Sequence, residues 1–279
     1  MKRNQIIAIS ACAVLLLVMY LFGNTKKPKP ADDTATEQQQ EGHAQPAAGG
    51  ESLNIMEYIN GVNAQITDKA IGQKINELTD QKDYKGLMAQ YTKLDKPLAV
   101  AYYSVQEAKH QNRAPIYISA GDYNAMLMQS APDDKARKFL GNNVLECYKS
   151  AVELDTGNTD YKIRLAGAYL EDGGQPMQGV MMLLDIVKKD SNNVDAQLML
   201  GRFGLISGQF DKAIARFEKI LYLQPQNSEA MFLLAQAYVS KGEKQKAIEL
   251  LEKCSKLVKE ADAKKEIEKE IESLKKPNG

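Results

Sequence analysis

From residue 81 onward, apolar residues recur at three- and four-residue steps in short runs broken by Gly, Asn, Asp and Pro. That spacing puts them on one side of a helix, and the breaks limit each helix to three or four turns. The runs then repeat as pairs. Met231, Leu234, Ala235 and Tyr238 are followed by Ala247 and Leu251. Leu200 and Gly201 are followed by Ala213 and Phe217. Leu165, Ala166 and Tyr169 are followed by Gly179 and Leu183. Gly201 and Ala235 stand 34 apart, as do Ala213 and Ala247, and Phe217 and Leu251; Ala166 precedes Gly201 by 35. Asn158, Asn193 and Asn227 close successive units, and Gly208 and Gly242 supply turns within them. A helix–turn–helix unit of this length cannot bury its apolar face alone, so the units stack. The pattern predicts an all-α solenoid.

Two looser units lie upstream. Tyr117, Ala120 and Gly121 form one first helix, with Val144, Tyr148 and Ala151 on its partner and an insertion around Ser130-Ala131-Pro132-Asp133-Asp134 between them. Tyr84, Leu87, Met88 and Tyr91 form the other first helix, with Ala99 and Tyr103 on the second and a turn at Lys96-Pro97. The expected units are 81–113, 114–158, 159–193, 194–227 and 228–261. N-terminal helices fill 51–80. A helix over 262–279, with Ile267, Ile271 and Leu274 on one side, caps the end.

These pairs resemble the tetratricopeptide-repeat family, whose pattern is W-x2-L-G-x2-Y, then A-x3-F, then P. Leu200, Gly201, Ala213, Phe217 and Pro225 match it, and Gly204 departs from it where the tyrosine belongs. The 159–193 unit carries one extra residue near Asp172-Gly173-Gly174. The resemblance implies a concave groove lined by first helices and a partner that is a protein or peptide.

The residues not assigned to the core mark that groove. They are Asp160, Ile163 and Leu170, with Gly167 between them; Asp195, Leu198, Arg202 and Leu205; and Glu229, Phe232, Gln236 and Val239. Their middles are apolar and their starts acidic, which suits an amphipathic helix or extended peptide. The alternative is that the apolar members pack on the next unit or the cap, and that the acidic ones only complement helix dipoles. Arg164 and Arg202 come without an Asn series, so a carboxylate clamp is not expected.

The N-terminus follows a different pattern. Residues 6–23 are an uncharged apolar run, which as a helix spans roughly 27 Å, close to a bilayer's hydrocarbon core. Residues 1–5 form a basic head. Residues 24–50, rich in Pro and Gln with almost no large apolar side chain, read as a disordered tether. The chain therefore reads as a membrane-anchored bacterial repeat protein, single-pass, with a periplasmic body. A cleaved signal peptide is the alternative, and Ile9-Ser10-Ala11-Cys12 is a weak lipoprotein-like box.

Composition narrows the chemistry. Lys plus Arg and Asp plus Glu are both 36, which argues against a nucleic-acid binder. Cys12, Cys147 and Cys254 show no zinc-ligand spacing, and Cys147 and Cys254 fall in apolar helical patterns. With only His43 and His110, and no G-x-S-x-G or P-loop, no catalytic constellation, metal site or cofactor is expected. The expected function is a tethered protein-binding scaffold serving assembly or quality control of envelope complexes. A self-associating homodimeric module is the alternative.

Overall fold

The computed structural model describes residues 51–171 and 174–276. The apolar run 6–23, the tether 24–50, Cys12, His43 and most of the Asp172-Gly173-Gly174 turn lie outside the described residues. Among those described, thirteen α-helices follow one another and there is no strand. They are α1 (Ile55–Ala64), α2 (Lys69–Asp80), α3 (Tyr84–Lys93), α4 (Pro97–Gln111), α5 (Ala114–Met128), α6 (Asp134–Leu154), α7 (Thr159–Glu171), α8 (Pro176–Lys189), α9 (Val194–Ile206), α10 (Phe210–Leu223), α11 (Ser228–Ser240), α12 (Lys244–Leu257) and α13 (Ala261–Lys275). They form two bodies, residues 46–203 and the segment from Gly204 to the C-terminus.

The helix starts follow from side-chain capping. Asn158, Asn193 and Asn227 each accept a hydrogen bond from the backbone N–H three residues on, at 3.2, 2.9 and 2.9 Å. Each satisfies a donor that the first turn of α7, α9 or α11 would otherwise leave open. Pro97 and Pro176 stand in the first turns of α4 and α8, where no N–H is needed. The turns use left-handed backbone. Gly208 and Gly242 have φ of +74° and +79°, and Lys82, Asp95 and Asn112 adopt the same region without being glycine.

In the 46–203 body the core runs through consecutive helices. Ile59, Ile75, Leu87, Tyr91 and Tyr103 join α1 to α4. Val105, Ala120, Cys147 and Ala151 join α4, α5 and α6. Val144, Tyr148, Leu165 and Tyr169 join α6 to α7. Ile163, Ala166, Leu183, Ala196 and Leu200 join α7, α8 and α9. In the 204–279 body, Met231, Ala235, Ala247 and Leu251 share one core with Ile267 and Ile271, and α13 packs on α12. Each body is thus an all-α array of helix pairs.

The expected insertion at residues 130–134 has another form. Its extra length goes into the helices: α5 has 15 residues and α6 has 21. Asp133 caps α6 through the Ala136 N–H at 2.7 Å. The added turns bury Ala136, Phe139 and Leu140 against Leu98 and Ala101 of α4.

Candidate functional site

The first helices of the pairs are α3, α5, α7, α9 and α11. On α7, Asp160 is exposed, Leu170 is half-buried, and Ile163 is only 8% exposed. Ile163 is a core residue, packed with Ala196 and Leu200 of α9, and does not line an open groove. The reason is small neighbours. Ala196 is fully buried, and Gly167 sits so close to Met199 that a Cβ there would come within 2.5 Å of its terminal methyl. On α9, Asp195 is exposed and Leu198 and Arg202 are half-buried. Arg202 lies near Glu171 at the end of α7. Burial lowers the pKa of the guanidinium and Glu171 opposes this; desolvation raises that of the carboxyl and Arg202 opposes it. The structure therefore brings Leu170, Leu198 and Arg202 to this face and withdraws Ile163.

In the 204–279 body, Leu205 is 8% exposed and is likewise a core residue. Glu229 is exposed, and Phe232, Gln236 and Val239 are half-buried. Phe232 and Val239 lean on the cluster that holds Ile267 and Ile271. They are partly buried by that cluster and keep surface.

A polar junction on the same side of α5 and α7 carries no apolar signal in the sequence. Arg164 Nη1 donates to Asp122 Oδ1 at 2.5 Å, and the Tyr148 hydroxyl donates to the same oxygen at 2.7 Å. Burial, then the Asp122 carboxylate, pushes the Tyr148 phenol well above its ordinary range. Beneath it, the fully buried Asn124 donates to the Ala120 carbonyl at 2.9 Å and to the Ser104 hydroxyl at 3.3 Å. It also accepts from Asn143 at 2.9 Å. The two other conspicuous residue types serve packing. His110 is exposed with its ring edge-on to Tyr84 at 5.9 Å. Cys147 and Cys254 are buried thiols pushed up to about 12 and about 11 by desolvation, so neither is poised as a nucleophile.

Residues 204–264 match the family model for the tetratricopeptide repeat. That stretch covers α10 to α12 and the start of α13. A peroxisomal targeting signal receptor of Candida albicans is 27% identical over 132 residues, 47% of this chain and 22% of that receptor. The peroxisomal targeting signal receptor of Saccharomyces cerevisiae is 31% identical over 123 residues, 42% of this chain and 19% of that receptor. The chain thus spans about a fifth of the length of the curated relatives it matches. Among solved structures, a thermophilic repeat protein from Thermus thermophilus is similar at 19% identity with a TM-score of 0.49, over 69% of this chain and 97% of that one.

The relatives correct the expected location. They are peroxisomal targeting signal receptors of two yeasts. Among the described residues no helix is long and apolar enough to cross a membrane. A single-pass, periplasmic placement does not stand, and a role at envelope complexes loses its support.

Proposed function

We propose that this chain is a protein-interaction scaffold whose first-helix faces hold a short segment of a partner protein. The observation that supports the reading is a set of half-exposed apolar side chains on first helices, of which Leu198 and Phe232 stand 34 residues apart at equivalent positions. The set is Leu170 and Leu198 in one body and Phe232 and Val239 in the other. Apolar surface of this kind, flanked by Arg202 or Gln236 and by exposed acids at the helix starts, suits an amphipathic helix or extended peptide. Asp160 and Asp195 put acids at the helix starts in the 46–203 body and Glu229 does so in the 204–279 body, with Ile163 and Leu205 buried in their respective cores. The two curated relatives are receptors for a targeting signal, and recognition of a short client segment is the activity proposed for this chain too. No catalytic step is part of the reading.

The test is a pull-down with wild-type protein against Leu198→Glu, Phe232→Glu and the double variant. Each substitution places a charge on a half-exposed position and leaves the buried core intact. The expected result is loss of partner in the variant of the body that binds it. Unchanged recovery in all three contradicts the proposal. Self-association through the same face is the competing outcome: a concentration-dependent mass in light scattering, lost in the double variant, would favour it.

A further inference from the structure

We infer that α8 carries a second docking seam, independent of the first-helix faces, for an amphipathic partner helix with acidic residues at one end. The helix is apolar on two sides. Val180, Leu183 and Ile186 face the core. Met177, Met181 and Leu184 face out, 61%, 65% and 42% exposed. Core packing explains the first set and leaves the second unexplained.

The outward set has the geometry of a helix seam. Residues 177, 181, 184 and 188 step by four, three and four, the spacing of the positions that meet in paired helices. The seam is one residue wide, with exposed Gln178 and Asp185 beside it. A bilayer-binding helix presents a broad apolar face, whereas a narrow stripe fits the ridge of another helix. Methionine suits such a contact, because its unbranched thioether adapts to the shape laid on it.

Charge decides the occupant. Lys188 occupies the fourth seam position, with exposed Lys189 beside it, and among the described residues neither is in an ion pair. A second copy laid antiparallel about the middle of the stripe sets Lys188 over Met177. Laid parallel, it sets Lys188 against Lys188 of the partner subunit. In neither arrangement does a carboxylate stand in the seam opposite Lys188, since Asp185 lies beside the stripe and not in it. The three apolar side chains expose roughly 300 Å², well short of the ~800 Å² per partner of a stable dimer. A foreign helix with glutamates or aspartates over the two lysines satisfies both the stripe and its end.

The test uses the full chain and two labelled synthetic helices, each about four turns long with leucines at the same spacing. One ends in two glutamates and its counterpart in two lysines; fluorescence anisotropy reads binding. Wild type is expected to bind the glutamate helix at least about tenfold more tightly than the lysine helix. Met181→Glu is expected to lose both, with an unchanged circular dichroism spectrum and melting temperature. The paired change Lys188→Glu and Lys189→Glu is expected to reverse the preference. Four results would overturn the inference: no binding of either helix, a preference untouched by charge reversal, binding untouched by Met181→Glu, or binding abolished by Leu198→Glu alone. It is likewise overturned if Met181→Glu instead abolishes a dimer seen by light scattering, or abolishes co-sedimentation with phosphatidylglycerol vesicles.

Discussion

Single atoms decide much of the packing, and the two kinds of glycine show it. Gly179 on α8 stands where a Cβ would meet the Ala166 carbonyl oxygen at 2.5 Å. Gly179→Ala forces backbone apart and is expected to cost about 1–3 kcal/mol in urea denaturation. Gly61 on α1 has nothing within 4 Å of its would-be Cβ. Gly61→Ala is expected to stabilise by about 0.5–1 kcal/mol, since only helix propensity changes. Asn124 takes the place of the tyrosine in the repeat pattern and directs its polarity to Ser104, Asn143 and the Ala120 carbonyl. Asn124→Ala leaves the buried Asn143 amide without its acceptor and should cost about 2–3 kcal/mol. The same denaturation curves check it, and a loss under about 0.5 kcal/mol would show that water replaces the bond. The Arg164–Asp122 pair is about half exposed and contributes little by comparison, about 0–1 kcal/mol.

At the scale of helices, the order of elements was readable because repeat spacing constrains it twice, by helical period and by recurrence near 34. The turn residues Gly208 and Gly242 carry the positive φ that a sequence reader assigns to them. The 130–134 segment, with Pro132 and two aspartates, does break the chain between α5 and α6, but the loop is short and the extra length lies in α6. The apolar steps that follow, Ala136, Leu140, Val144 and Cys147, already continue a helix, and Asp133 caps it. The groove residues were only partly legible. Period fixes which residues share a helix face, but not how closely the next helix approaches. Small Ala196 and Gly167 allow α9 close to α7, and that approach buries Ile163. The α8 stripe was missed for a related reason. A helix apolar on two sides reads as core until its neighbours are known. The last helix gives an element-scale prediction. Ile267 and Ile271 are buried against Leu251 and Cys254, each worth about 1.5–3 kcal/mol. Ile271→Asp should therefore release α13, raising amide exchange through 261–275 and in α12 while leaving residues 51–203 unchanged.

For the molecule as a whole, the buried thiols set an alkaline limit. Cys147 lies in one body and Cys254 in the other, with pKa values raised from 9.0 to about 12 and about 11. A group whose folded pKa is raised favours the fold fully below its unfolded pKa and loses that contribution as pH climbs toward the folded value. Stability should be insensitive to these thiols below pH 9.0 and fall between 9.0 and about 12, steepened by the phenols of Tyr103 and Tyr148, which are also raised. Cys147→Ala is expected to flatten the urea midpoint against pH over that window; an unchanged slope would remove the thiol as its cause.

The central claim is that the first-helix faces receive the partner, and site-specific photo-crosslinking tests it most directly. A crosslinker is placed at Leu198 or Phe232 on first helices, or at the exposed Asn142 or Glu249 on second helices. Partner adducts are predicted from Leu198, from Phe232, or from both, and none from Asn142 or Glu249. Adducts confined to Asn142 or Glu249 would contradict the account.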